Sequence, residues 1–407
     1  MSKVVEIQLP TQLRERLEQG HPWVYRTHIG APPRVATGGW VRLRCGGWTG
    51  WGMWDAEGPI AVRIFAGDRA PDASWFAARV QEAWELRAPL RAAGCTAYRW
   101  LFGEGDGVPG VTVDRYGEYA VMRTYGGGAV LLAPQIARLL MECDATLRGV
   151  VRRVDPDAEE GAADTGRVAA ERGDGARSLV ALAGELPPRR IEVVEHGMRF
   201  AVDLWIGQKT GLFLDHRENR RTVEAFSAGR SVLNCFAYTG AFSLYALRGG
   251  ARSAVSIDIG KGLAGAAAEN VALNGLDAGR HRFVTEDCFD ALARYVAEGK
   301  RFDLVILDPP SFAKSRQNRY AAQRAYVRLN ALALRCVAPG GLLATASCTS
   351  QVGPEAFKEA LAAAGASAGR RLQIIHEAGQ PLDHPVPAHF PEGRYLKFVL
   401  GRVLEHR

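Results

Sequence analysis

Between Ser231 and Asp308 three short apolar runs each end in a polar, small-residue or acidic turn, and helical segments separate them. Ser231–Cys235 breaks into the loop from Phe236 to Gly240. Ala254–Ile257 ends at Asp258, and Phe302–Leu307 ends at Asp308. Apolar strands alternating with helices force a parallel sheet covered by helices on both faces. In such a sheet, ligands sit outside the carboxyl ends of the strands. This constrains residues 201–407 to a doubly wound α/β domain, and it closes with two antiparallel strands, around Leu372–Glu377 and Tyr395–Val403.

The strand ends then define candidate chemistry. Loop 234–240 lacks the GxGxxG spacing that a dinucleotide pyrophosphate needs, but its small residues allow close approach of backbone to a ligand. Phe236, Tyr238, Thr239 and Gly240 are the ligand-facing candidates there. Asp258 follows the loop by about 20 residues, the distance that suits a carboxylate on ribose hydroxyls. Asp287, after Arg282–Glu286, is placed to meet an adenine amino group, with Cys288 beside it. A lone acid at a strand end is more often a helix cap. Three acids in register favour a nucleoside.

Asp308-Pro309-Pro310-Ser311-Phe312 is the most specific local signal. Consecutive prolines stiffen the backbone and remove N–H donors, so carbonyls and the Asp308 carboxylate face the cleft. Phe312 is a candidate to stack on a flipped base, with Pro309 and Pro310 lining the same place; the plainer reading is a rigid turn with a core phenylalanine. Cys348 ends a further strand, Leu342–Ser347. A cysteine is usually a small buried hydrophobe, but at the cleft end of a strand it is positioned for nucleophilic attack. Pyrimidine C5 is a poor nucleophile until a thiolate adds at C6, and Cys348 with Asp308 would form such a catalytic pair.

Ahead of the α/β domain, residues 1–70 predict a small β-barrel, with alternating runs at Trp40–Cys45 and Ile60–Phe65 separated by glycine turns. Trp23, Trp40, Trp48, Trp51 and Trp54 crowd this unit, and core filling is expected for most of them. Residues 71–200 predict an α+β middle domain with a helix over 73–93, strands at Val111–Asp114 and Tyr119–Thr124, and a helix over 131–141. Asp155–Arg177 lacks apolar periodicity and predicts a flexible insertion. A net charge of +7 is compatible with a polyanionic partner such as RNA, although arginine-rich composition alone could produce it. Seven widely spaced cysteines without a CxxC pair argue against a zinc site and a disulfide framework. With no export-signal pattern and no apolar run of membrane-spanning length, a cytoplasmic protein is expected, without metal or membrane.

Four stretches carry a resemblance: HPWVY from His21 to Tyr25, FGEGDGVPGVTVDRYG from Phe102 to Gly117, GQKTGLFLDHRENR from Gly207 to Arg220, and PEGRYLK from Pro391 to Lys397. The C-terminal half resembles class I (Rossmann-like) S-adenosylmethionine-dependent methyltransferases. Nearly the whole chain resembles the bacterial RlmI-type family, which forms 5-methylcytosine in 23S ribosomal RNA. The resemblance implies a PUA-like RNA-binding barrel at the N-terminus and S-adenosylmethionine as cofactor. It implies large-subunit rRNA as partner, and it places Gln208, Lys209, Phe213, Asp215 and Arg217 near the cofactor. Two departures matter. The family's Ser-Cys-Ser reads Ser347-Cys348-Thr349 here. Ser311 stands where two-cysteine RNA methyltransferases carry their second thiol, so Asp308 or a water must serve to resolve the adduct.

Some relatives of this family modify other rRNA bases, so subfamily assignment rests mainly on Cys348. Two alternatives stay open. One is an exocyclic-amine or ring-nitrogen RNA methyltransferase using the Asp308–Phe312 turn without a thiol. The other is a non-catalytic RNA-binding factor in ribosome assembly. The sequence leaves the assembly state open, a homodimer included.

Overall fold

The computed structural model describes residues 4–154, 178–312 and 319–405, so the insertion expected at 155–177 lies outside the described residues. In chain order the strands and helices begin with β1 (Val5–Gln8), α1 (Arg14–Glu18), β2 (Trp23–Tyr25), β3 (Trp40–Cys45), β4 (Trp48–Trp54) and β5 (Ile60–Ala66). There follow α2 (Ala73–Leu86), α3 (Ala88–Ala92), β6 (Ala97–Phe102), β7 (Val111–Tyr116), β8 (Tyr119–Thr124) and α4 (Gly127–Cys143). Next come β9 (Gly149–Val154), β10 (Ser178–Gly184), β11 (Ile191–Glu195) and β12 (Met198–Val202). The α/β part contains α5 (Arg217–Ala225), β13 (Ser231–Cys235), α6 (Ala241–Arg248), β14 (Ser253–Asp258), α7 (Leu263–Leu273), β15 (His281–Thr285) and α8 (Cys288–Ala297). It ends with β16 (Phe302–Leu307), α9 (Arg319–Cys336), β17 (Val337–Ser347), α10 (Pro354–Ala368), β18 (Arg370–Ala378) and β19 (Lys397–Glu405).

The chain divides into two compact units. The first runs to Gly197 and adds Val202–Leu214 and Leu382–Gly393; the second holds Met198–Ala201, Asp215–Pro381 and Arg394–Arg407.

In the first unit, one five-stranded sheet has the order β1-β3-β4-β5-β2 and another has β10-β9-β8-β7-β6. The only parallel pair in the second sheet among the described residues is β8–β9, and α4 makes the crossover between them. Ala129, Leu132, Ala133, Ile136, Ala137 and Leu140 give α4 its buried stripe. The helix starts four residues ahead of the predicted Leu131 because its first turn is glycine, which carries no apolar signal. The helix predicted over 73–93 is two, broken at Arg87. Pro89 cannot donate to the preceding turn, and the fully buried Arg87 guanidinium turns to Asp106 at 2.6 and 2.7 Å. The barrel tryptophans serve the cores for the most part, as expected, since Trp54 belongs to one that Trp48 packs against, and Trp40 packs against another. Only Trp54 is fully buried; Trp23, Trp40, Trp48 and Trp51 are half-buried. Trp40 leans on the core beneath α2, against Phe65 and Phe76, and Trp23 on Phe390.

The second unit is the doubly wound sheet, ordered β15-β14-β13-β16-β17-β19-β18. Its first five strands are parallel, and β19 inserts antiparallel between β17 and β18. Alternation along the strands sorts side chains to two faces. Leu233, Val305, Leu307 and Leu343 pack with Leu292, Leu329 and Ala333 of α8 and α9. Val232, Leu304, Ile306 and Ala344 pack with Val223, Phe242 and Ala246 of α5 and α6. Each face buries a separate apolar core, and the register lines up the carboxyl ends of the strands.

Candidate active site

Cys235 pairs with Ile257 on one side and Leu307 on the other, and Leu307 pairs with Thr345. The turns at Phe236–Gly240, Asp258, Asp308 and Cys348 therefore leave the same edge of the second unit.

The loop after β13 is conformationally unusual. Phe236 and Tyr238 adopt left-handed backbone (φ 59° and 49°), as does Gly240 (φ 81°). A non-glycine residue there costs about 1–3 kcal/mol and persists only where its surroundings enforce it. Part of the enforcement is Asp258: one carboxylate oxygen accepts the Tyr238 N–H at 2.9 Å, the other the Gly260 N–H at 2.9 Å. Ala237 N–H also donates to Ile257 O at 3.0 Å. The ribose candidate and the loop candidates are thus one hydrogen-bonded unit. A carboxylate beside exposed loop backbone is a donor and acceptor set that fits a nucleoside, and so fits S-adenosylmethionine.

Asp287 and Cys288 follow β15, and each also has a structural part. Asp287 caps α8, its Oδ1 accepting Phe289 N–H at 2.8 Å and Asp290 N–H at 3.2 Å. Cys288 is 2% exposed, with its sulfur between Phe236 N–H at 3.2 Å and Ile257 O at 3.6 Å. Its side chain shapes the loop from below and does not present a thiol to a ligand. Cys235 is likewise enclosed, and burial with the neighbouring Cys288 pushes its thiol pKa up.

At the end of β16, Asp308 meets a residue that sequence reasoning passed over. His216 Nε2 lies 3.1 Å from Asp308 Oδ1, close but off the line of a well-directed hydrogen bond. Asn219 holds His216 Nδ1 at 3.0 Å, and Phe242 and Phe398 turn ring edges to the imidazole. The signal was in reach, since His216 falls inside the GQKTGLFLDHRENR stretch. Asp215 beside it accepts the Tyr395 hydroxyl at 2.7 Å, and Arg217 is fully buried with Nε 3.1 Å from Glu218. Pro309 is buried and Pro310 exposed. Phe312 is half-buried, its ring centre 5.0 Å from that of Tyr326 and 6.2 Å from that of Phe289, which agrees with the plainer reading of a packed phenylalanine.

Cys348 is half-exposed, its sulfur 3.7 Å from the Pro309 carbonyl. The acidic turn and the thiol therefore meet, as the sequence predicts. Next to them stands Lys397, a second residue missed. Its ammonium donates to the Thr349 and Tyr395 carbonyls, the latter at 2.9 Å. Burial lowers its pKa to about 8. Tyr326, close to Cys348 and Asp308, is pushed well up by burial.

Gln208, Lys209 and Phe213 belong to the first unit, whereas Asp215 and Arg217 belong to the second. Within the first unit, Arg153 donates to the carbonyls of Leu204, Gly207 and Lys209, the last two at 2.5 and 2.6 Å. Thr210 donates to Asp114 at 2.6 Å, and Tyr116 accepts Leu212 N–H at 3.1 Å. The Phe102–Gly117 stretch thereby moors the Gly207–Phe213 stretch. Lys209 is left-handed (φ 52°) with its ammonium 4.4 Å from the centre of the Phe213 ring.

Two family profiles match: an S-adenosylmethionine-dependent methyltransferase over residues 147–385 and a PUA-like domain over residues 7–66. A protein of Shewanella denitrificans named ribosomal RNA large subunit methyltransferase I is 37% identical, covering 98% of this chain and 99% of that one. The chain belongs to the ribosomal RNA large subunit methyltransferase I family. A Salmonella enteritidis member is 36% identical over 94% of each chain. The fold agrees with a methyltransferase crystallised with SAH, at TM-score 0.84 and 21% identity over 98% of this chain and 100% of that one. A SAM-dependent methyltransferase from Streptococcus mutans superposes with TM-score 0.83 at 20% identity, with the same coverage. The protein is a class I methyltransferase dependent on S-adenosylmethionine, with a PUA-like domain at its N-terminus. Among the described residues, no group of acidic, histidine and cysteine side chains is arranged to hold a metal, and no helix is long and apolar enough to cross a membrane.

Proposed function

We propose that this enzyme methylates C5 of a cytosine in large-subunit ribosomal RNA, with Cys348 as nucleophile. The placement of Cys348 beside the Asp308–Pro310 turn carries the reading, because methylation at nitrogen needs no thiol. S-adenosylmethionine, held by Asp258 and the Phe236–Gly240 loop, supplies the electrophilic methyl group that C5 accepts. Cys348 adds to C6, and the C5=C6 electron pair moves to C5. Asp308, positioned by His216, faces the cytosine edge and takes the C5 proton, after which the C6–S bond breaks. Ser311 leaves no second thiol for this step.

RNA as the partner gains support from α9. Tyr320, Arg324, Arg328 and Arg335 follow one stripe of this helix and line a groove of about 480 Å³. No carboxylate pairs with these arginines among the described residues. In the barrel, by contrast, four arginines are already engaged: Arg14 with Glu18, Arg16 with Glu392, Arg44 with Glu6, and Arg26 with three carbonyls.

RNA carrying 5-fluorocytosine tests the chemistry. Fluorine cannot leave C5 as a cation, so a Cys348 adduct would survive denaturing electrophoresis and vanish in Cys348→Ala. Full methylation by Cys348→Ala would instead favour a nitrogen methyltransferase, and absent cofactor binding a non-catalytic factor.

A further inference from the structure

Lys397 is 6% exposed, at the first position of β19. The β17–β19 register sets it directly opposite Ser347, one residue before the nucleophile. Its ammonium donates to two main-chain carbonyls, Thr349 O and Tyr395 O, and no carboxylate neutralises it among the described residues. Burying an ammonium without an opposite charge is costly. A fold tolerates that where the charge serves something, and what adjoins this one is a sulfur that must carry negative charge to react.

We propose that Lys397 is the charge partner of Cys348, an ammonium fixed by two carbonyls that keeps the attacking sulfur in its thiolate form. The proposal rests on the reading of Cys348 as nucleophile. In the resting pair the proton that a thiol would carry resides on the Lys397 amine. On addition, the sulfur lone pair forms the S–C6 bond and the C5=C6 pair moves to C5. When the C5 proton has gone to Asp308, the C6–S bond breaks and its pair returns to sulfur, again beside the ammonium. Lys397 changes neither its protonation nor its hydrogen bonds during the cycle. It acts through Cys348 and is a positioning residue.

Two further observations agree. Burial lowers the lysine pKa, and the Cys348 thiolate is the group that raises it again, so the two charges feel one another. Among the described residues near the thiol, the remaining ionisable groups act differently. Asp308 repels a thiolate, the Tyr326 phenol stays protonated, and His216 is directed at Asp308. The carbonyl at Thr349 that Lys397 grips also fixes the turn directly after Cys348, which aims the sulfur.

The test is alkylation of Cys348 by iodoacetamide as a function of pH in the full-length enzyme, read by peptide mass spectrometry at that cysteine. Five of the other six cysteines are buried and Cys143 is half-buried, so site-resolved detection is required. The wild-type enzyme should show an inflection below the ordinary thiol value of about 8.5. Lys397→Met should raise it and slow alkylation at pH 7 about tenfold for each unit of displacement. Lys397→Arg should restore the low inflection. An unchanged inflection in Lys397→Met overturns the proposal. If that variant fails to fold, the wild-type inflection decides, and a value at or above about 8.5 overturns it too. Alkylation needs neither RNA nor turnover. A wild-type enzyme with the low inflection but no 5-fluorocytosine adduct would therefore refute the C5 chemistry while leaving the ion pair intact.

Discussion

His216 stands 3.1 Å from Asp308, with its other ring nitrogen held by Asn219 at 3.0 Å. The imidazole is buried, so it can neither swing to solvent nor reach another carboxylate without disturbing Phe242 and Phe398. It lies against the carboxylate that the rigid diproline turn projects.

Replacing Asp308 with Asn should therefore lower kcat by about 10²–10⁴, the range for loss of a positioned acid–base group. His216→Gln should lower it less, because the carboxylate remains and only its orientation is lost. Single-turnover methylation of rRNA measures both. Isothermal calorimetry with S-adenosylmethionine should show little change in either variant. Loss of cofactor affinity in His216→Gln would mean that the histidine serves the cofactor side of the edge.

Asp258→Ala should weaken S-adenosylmethionine binding by about 10- to 100-fold. That corresponds to one charge-assisted hydrogen bond at about 1.5–3 kcal/mol. The same change removes the acceptor for Tyr238 N–H, so the strained loop should relax. Hydrogen exchange at Tyr238 distinguishes the two effects: Asp258→Asn should keep the loop bond and still lose affinity. Equal affinity in both variants would sink the ribose assignment.

How much of this the sequence exposed follows from what kind of interaction each feature rests on. The strand ends with Asp258, Asp308 and Cys348 were legible because strand period and a following turn are local signals. The Trp23 environment was not, since its partner, Phe390, is distant in sequence. Asp287 and Cys288 carry structural duties that no local pattern displayed: Asp287 Oδ1 caps α8, and the Cys288 side chain lies in the core beneath the loop. His216 and Lys397 both lie in stretches that carry the resemblance, but the neighbours that mark them out, Asp308 and the turn after Cys348, are far away in sequence. No spacing rule joins residue 216 to 308, or 397 to 348.

Arg87 offers a stability prediction confined to the first unit. Its guanidinium is fully buried, bidentate to Asp106, and donates further to Arg99 O at 2.9 Å and Asp383 O at 2.8 Å. Arg87→Met leaves a buried carboxylate and two carbonyls without that donor and should cost about 3–5 kcal/mol. The double variant Arg87→Met/Asp106→Asn should recover part of that loss. Urea denaturation followed by tryptophan fluorescence reads the difference, and a loss below about 1 kcal/mol would show that water substitutes for the guanidinium.

Lys397 makes stability depend on pH in a known direction. Its folded pKa, near 8, lies below the 10.5 of an exposed lysine. Between those values the unfolded chain binds more protons than the folded one, so stability rises with pH across that window. The contribution is at most about 3 kcal/mol. The wild-type urea midpoint should climb from pH 8 towards 10 relative to Lys397→Met, which lacks the group. Parallel curves for the two proteins would place the lysine in a far wetter setting than its burial implies.

The α9 stripe leads to a prediction about RNA. Arg324 and Arg328 are one turn apart, about 6 Å along the helix axis, and each adds a positive charge without a neighbouring acid among the described residues. Each phosphate contact releases counterions and steepens the fall of log K with log salt, by about 0.7 for single-stranded and 0.9 for duplex nucleic acid. Arg324→Gln/Arg328→Gln should therefore flatten the slope by about 1.4–1.8 and weaken binding to large-subunit rRNA fragments at low salt. S-adenosylmethionine affinity should not move, since the groove that both arginines line includes neither Asp258 nor any residue of the Phe236–Gly240 loop. The matching change in the barrel, Arg16→Gln, should have a smaller effect on the slope because Arg16 already pairs with Glu392. If the α9 variant kept the wild-type slope while Arg16→Gln lost it, the barrel and not α9 would carry the phosphate contacts.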